Sequence, residues 1–197
     1  MSAPSILIPP ADADAEIPRL SQSALIVIDA QNTYTEGPLE LAGVRPAIAR
    51  AAEILERARA LGAPVIHVQH DAGPGSLFDP AAESGAIVEA LAPREGEPVV
   101  VKSRPNSFAG TDLREQLADG PGRLVLVGFM THMCVSSTAR AAFDLDYKTT
   151  VVAEATATRE LPGVAGAVPA ATVQAAALAA LGDAFAFVVP GQDGIPD

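Results

Sequence analysis

The chain has 197 residues, 49% of them apolar, enough to bury a substantial core and too few to leave room for a second domain beside it. Its 24 acidic and 13 basic residues give a formal net charge of -11, which repels phosphate backbones and anionic bilayers and argues against nucleic-acid and membrane partners. No apolar run approaches the roughly 20 residues that a membrane-spanning helix requires.

Residues 1–20, MSAPSILIPPADADAEIPRL, combine prolines and acids with no basic start and no continuous apolar stretch. They read as an ill-structured lead-in rather than a secretory signal, so a cytoplasmic location is expected and residues 21–197 are expected to form one domain. The first apolar run, 24–28, is short, β-branched and followed at once by Asp29, which reads either as a turn residue or as a group at the carboxyl end of a strand. A helix is predicted over 46–61, with Ile48, Ala52 and Leu55 on one face, Pro46 in the first turn and Gly62 as its stop. The second strand, 64–68, leads into a glycine-rich loop over 71–79.

A helix over 85–91 is predicted next, then a strand over 98–101 that hands on to Lys102. Helix 111–117 and strand 123–127 follow. Cys134, the single cysteine, then opens a predicted helix over 134–145 through Val135, Ala139, Ala142 and Phe143. A strand over 149–152, an alanine-rich helix over 169–181 and a strand over 185–189 complete the order.

Four of the six runs are continuously apolar, as strands covered on both faces are, and helices separate them. Right-handed crossovers then give an α/β fold, a three-layer α/β/α sandwich on a six-stranded, mainly parallel sheet, with ligands expected beyond the carboxyl ends of the strands. Asp29, Lys102 and Cys134 come from three separate strand ends on that one edge.

A lone cysteine is by default a small buried hydrophobe, and a lysine at a strand end is by default solvated. Together with a carboxylate they become a nucleophile, a charge stabiliser and a base. A thiol in the first turn of a helix gains from the helix dipole, and a nearby ammonium is expected to lower its pKa further. The carboxylate can accept the thiol proton and return it to a leaving amine.

Over about residues 24–189 the chain resembles the isochorismatase-like cysteine hydrolases. The resemblance is carried by Asp29-Ala-Gln31-Asn32-Thr-Tyr34, by Lys102 with Phe108, and most specifically by GFMTHMCVSSTARAAF over 128–143. It implies the sandwich fold and an Asp29, Lys102, Cys134 triad attacking a small-molecule amide, ureide or lactam through a thioester. It further implies a cis peptide before Met130, with the Met130 and Cys134 amides as the oxyanion hole. Members that cleave the vinyl ether of isochorismate generally lack the cysteine, so an amidase-type reaction is favoured, and the compact length, the segment 128–135 and the alanine-rich last helix look closer to small bacterial cysteine hydrolases related to streptothricin hydrolase than to nicotinamidases. Family members are usually dimers or tetramers, and a homo-oligomer is expected here.

The remaining site candidates each carry two readings. Gln31, Tyr34 and Phe108 line the pocket or, for the two rings, pack in the core. Thr131 is a substrate contact or the N-cap of the next helix, and His132 is a substrate contact or a solvent-facing residue. Arg140 is expected to bind acidic or carbonyl groups, and Glu154 to shape the crevice rim. No cofactor is implied and no metal is expected, because His67 and His70 fall on opposite faces if their strand runs to residue 70, leaving Asp71 without convergent ligands. Two rival functions use the same residues: a redox-sensing thiol at Cys134, or a binding module that does not hydrolyse its ligand.

Overall fold

The computed structural model describes residues 16–197. The lead-in expected over 1–20 lies mostly outside the described residues. Its last part is not loose: Ile17 packs against the core, and Leu20 is buried with its N–H bonded to the Pro196 carbonyl at 2.8 Å.

Six strands form one sheet: β1 (Ala24–Ile28), β2 (Val65–His70), β3 (Val99–Lys102), β4 (Arg123–Phe129), β5 (Lys148–Ala157) and β8 (Phe187–Val189), in the order β3-β2-β1-β4-β5-β8. All five pairings are parallel. β1 is central and wholly buried, which is why its sequence is apolar without alternation. Leu25 and Val27 face the core under α1 (Val44–Ala60), while Ala24, Ile26 and Ile28 face the core under α2 (Leu113–Gln116), α3 (Ser136–Asp144) and α4 (Ala170–Ala184). The three-layer α/β sandwich follows from those two cores.

Three departures from the sequence reading bear on the site. No helix forms over 85–91. Two 3-10 turns, Glu83–Gly85 and Glu89–Leu91, flank an extended piece whose backbone pairs with the loop after β1, through Asn32 N–H to Ala86 O at 2.9 Å and Val88 N–H to Ala30 O at 2.8 Å. Partners outside the segment thus replace the i to i-4 bonds of a helix. The strand expected over 149–152 continues to Ala157 through a register shift opposite Leu126 and Gly128, which carries β5 to the edge where the site lies. Between β5 and α4 an unanticipated antiparallel hairpin, β6 (Leu161–Gly163) and β7 (Gly166–Val168), projects with Val164 fully exposed.

Candidate active site

Asp29 directly follows β1 and adopts a left-handed conformation, φ 47°, a strain of about 1 kcal/mol for a non-glycine residue. Its N–H is tied to Val68 O at 2.9 Å, and its side chain is completely buried. Lys102 is the last residue of β3, two strands away, and its side chain is equally buried. Lys102 Nζ donates to Asp29 Oδ2 at 2.6 Å and lies 3.4 Å from Cys134 Sγ. The parallel sheet therefore brings the three residues into contact at one edge.

Cys134 does not open an α-helix as expected. It sits on a π turn, Thr131–Val135, closed by Val135 N–H to Met130 O at 3.2 Å, and α3 begins only at Ser136. Such wide turns recur at functional sites because they present a side chain that a regular helix would bury in its own wall. The peptide between Phe129 and Met130 is cis. Before it, Gly128 has φ 110°, and a Cβ there would stand 2.0 Å from Ile28 O. Only glycine lets β4 run this close to β1.

The electrostatics reverse one expectation. The Cys134 thiol is not lowered but pushed up to about 12, first by burial and then by the Asp29 charge, with Lys102 opposing. Only 3% of the residue is exposed, so desolvation outweighs one ammonium that is already neutralised by Asp29. Burial also raises the Asp29 carboxyl, against the pull of Lys102. The resting thiol is therefore protonated, and the buried Asp29 carboxylate, in contact with both the thiol and Lys102, is the basic group beside it.

Gln31 has both donor hydrogens engaged, to His70 O at 2.9 Å and Gly85 O at 2.7 Å, while its Oε1 accepts from His70 N–H. It ties the loop after β1 to the end of β2. Tyr34 is buried, edge-on to Phe78 and Phe129 at 5.5 and 5.9 Å. Phe108 stacks on Tyr147 at 5.8 Å. Thr131 is not an N-cap, a position held by Met130 on the π turn and by Val135 on α3; its hydroxyl is buried and makes no hydrogen bond. His132 is half-buried rather than solvent-facing, with Nδ1 bonded to Thr158 Oγ1.

β2 runs to His70, and its two histidines take separate partners. His67 bonds Glu97 Oε2 at 2.9 Å, Asp71 accepts from Gly73 N–H, and His70 turns to the site with Nδ1 3.3 Å from Lys102 Nζ. Sequence reading missed His70 as a site residue, although its register opposite Lys102 carries the signal. Among the described residues Arg140 pairs with no acid: its Nε donates to Ser136 Oγ at 3.3 Å and its guanidinium lies 4.1 Å over the Phe185 ring. Glu154, in β5, lines a groove of about 480 Å³ with Pro46, Arg50, Thr158 and Gln174, which none of Asp29, Lys102 or Cys134 lines.

With this geometry in hand, comparison with known proteins identifies the family. The Isochorismatase domain matches residues 23–193. The secreted isochorismatase effector Isc1 of Verticillium dahliae is 37% identical over 188 residues, covering 94% of each chain. Streptothricin hydrolase of Streptomyces noursei is 33% identical, covering 88% of this chain and 64% of its own, and the ureidoacrylate amidohydrolase RutB of Stutzerimonas stutzeri is 34% identical, covering 70% and 71%. An isochorismatase from Pseudomonas putida KT2440 superposes with a TM-score of 0.87 at 43% identity, covering 90% of this chain and 92% of its own. The chain belongs to the isochorismatase family of hydrolases.

Proposed function

We propose that this hydrolase cleaves a carbon–nitrogen bond of a small amide, ureide or lactam through a thioester on Cys134. The observation that supports it is the placement of Lys102 Nζ against both Asp29 and Cys134 in a niche closed to water. Asp29 takes the thiol proton as sulfur attacks the carbonyl carbon, forming the C–S bond and an oxyanion. The Met130 and Cys134 amides receive that oxyanion. Collapse breaks the C–N bond, and the proton held on Asp29 goes to the departing nitrogen. Water then attacks the thioester, Asp29 takes its proton, and the thiolate that leaves recovers that proton.

The raised thiol suits this order of events. A thiolate forms only as its proton moves to Asp29, and Lys102 then faces two anionic candidates with one charge between them. Relatives described as a streptothricin hydrolase and a ureidoacrylate amidohydrolase support a C–N bond as the target. A redox-sensing role needs an exposed, low-pKa thiol, whereas Cys134 is only 3% exposed and burial pushes its thiol up to about 12. Assembly as a dimer or tetramer and a reducing, cytoplasmic setting that keeps the lone thiol free belong to the same proposal. Among the described residues no helix is long and apolar enough to cross a membrane.

Profiling of amides, ureides and lactams with Cys134→Ala as the blank tests the reading. Turnover that disappears in the variant, with an acyl mass trapped on wild-type Cys134, is the expected result. Turnover that survives in Cys134→Ala overturns it.

A further inference from the structure

The Lys102 ammonium carries three N–H donors and no acceptor, and its side chain is completely shut off from solvent. Each proton therefore needs an acceptor supplied by the protein. Two of these are Asp29 Oδ2 at 2.6 Å and Cys134 Sγ at 3.4 Å, both on groups whose charge changes in the thioester reaction. The third is His70 Nδ1 at 3.3 Å.

His70 is built into that position. It stands opposite Lys102 in the parallel β2–β3 register, so the two side chains leave the sheet as neighbours on one face. Its N–H bonds Gln31 Oε1 and its carbonyl accepts from Gln31 Nε2, both at 2.9 Å. The next N–H, of Asp71, bonds Lys102 O at 2.8 Å. The Phe78 ring packs edge-on to the imidazole at 5.0 Å. A backbone tied at both ends and a packed ring hold Nδ1 against Nζ.

The contact also dictates the state of the ring. An ammonium cannot accept a hydrogen bond, so Nδ1 must offer its lone pair, and the ring is then neutral with its proton on Nε2. A second ring proton would set two cations 3.3 Å apart. The charged groups around the imidazole are Lys102 from β3, Asp29 after β1 and Asp71 next in the chain. Burial first and Lys102 second hold it below its ordinary 6.5, against the two carboxylates.

We propose that His70 is a positioning residue of the reaction: its neutral ring, held as the Nε2–H tautomer, takes the third proton of Lys102 and keeps Nζ seated between Asp29 and Cys134. The proposal rests on the thioester reading and deepens it. In the resting site the ammonium's short bond is to Asp29. Once the thiol proton has passed to Asp29, the charge that needs Nζ is on sulfur. A third acceptor whose own charge stays constant lets the ammonium turn from one to the other without leaving its place.

Two measurements test this on the full chain. The first is the ring-nitrogen NMR spectrum of histidine-labelled protein, in which the signals lost in His70→Asn identify His70 among the three histidines. Nε2 is expected to be protonated and Nδ1 bare at neutral pH, with the ring still neutral somewhat below pH 6.5. The second is the rate at which iodoacetamide, a small amide, alkylates Cys134, read by mass at neutral pH; as the single cysteine it alone reports. His70→Leu, which has no acceptor, is expected to slow alkylation about tenfold or more, the size of one hydrogen bond to a charged group. His70→Asn, whose amide oxygen can stand near the place of Nδ1, is expected to recover part of that loss. Melting temperatures separate both effects from a folding defect.

A ring found as the Nδ1–H tautomer, or doubly protonated at neutral pH, overturns the assignment. So does alkylation of His70→Leu at the parent rate, or of His70→Asn no faster than His70→Leu. If His70→Leu does not fold, the ring spectrum of the parent decides. Turnover surviving in Cys134→Ala overturns the thioester reading instead, and neither the ring spectrum nor the alkylation rate depends on turnover.

Discussion

Lys102 Nζ lies 2.6 Å from Asp29 Oδ2, and both side chains are wholly shielded from solvent. Neither charge has water to fall back on. Removing one member leaves the other buried and uncompensated, so Lys102→Met is expected to destabilise the protein by about 3–5 kcal/mol as well as abolish turnover. Adding Asp29→Asn should recover part of the stability and none of the activity. Urea unfolding of the two single variants and the double variant measures this, and a double variant no more stable than Lys102→Met contradicts it.

The Cys134 thiol, pushed up from an ordinary value near 9 to about 12, holds its proton more tightly in the folded chain than in the unfolded one. Its contribution to stability is therefore complete below about pH 9 and is lost as pH rises toward 12. Unfolding free energies measured across that range should fall less steeply in Cys134→Ala. The thiolate absorbance difference between the two proteins should likewise appear only at the alkaline end.

Glu97 joins a half-buried arginine to a buried histidine. Arg59 holds it in a two-point ion pair at 2.7 Å, and His67, fully buried, bonds it at 2.9 Å. The Arg59 guanidinium keeps the Glu97 carboxyl down at about 2, so its stabilisation is present above its ordinary value of 4.5 and is lost as pH falls toward 2. Glu97→Gln should cost about 1–3 kcal/mol at neutral pH and flatten the acid limb of the stability profile. An unchanged acid limb would show that another group sets it.

Gly128 stands where β4 passes closest to Ile28, one residue before the Phe129–Met130 link. Gly128→Ala forces a methyl group into the Ile28 carbonyl at a positive φ, two penalties at one position. The variant is expected to lose about 3 kcal/mol or more and, where it folds, to misplace Cys134. Activity and melting temperature falling together is the expected readout; a wild-type kcat/KM would contradict the positioning role of this residue.

The two central strands were legible because β1 and β4 are short apolar runs buried on both faces, which leaves no alternation to blur them. Helix 85–91 was misread because Glu89, Ala90 and Leu91 favour a helix locally, while the deciding bonds come from Ala30 and Asn32, more than 50 residues earlier. β5 was cut short at residue 152. Its last residues pair with Gly128 and Phe129 across a register shift, and a shift of that kind has no local signature.

By itself the sequence determined the α/β order, the strand ends bearing Asp29 and Lys102, the cysteine that meets them and the family to which the chain belongs. Those depend on residue type and spacing along the chain. Tertiary structure alone decided that Cys134 sits on a π turn with a raised rather than lowered pKa, that Gln31 spends its amide on backbone, and that His70 faces the site. Burial and the sharing of partners are properties of packed neighbours, and a thiol with one ammonium beside it gains or loses its proton according to how much water the rest of the fold has removed.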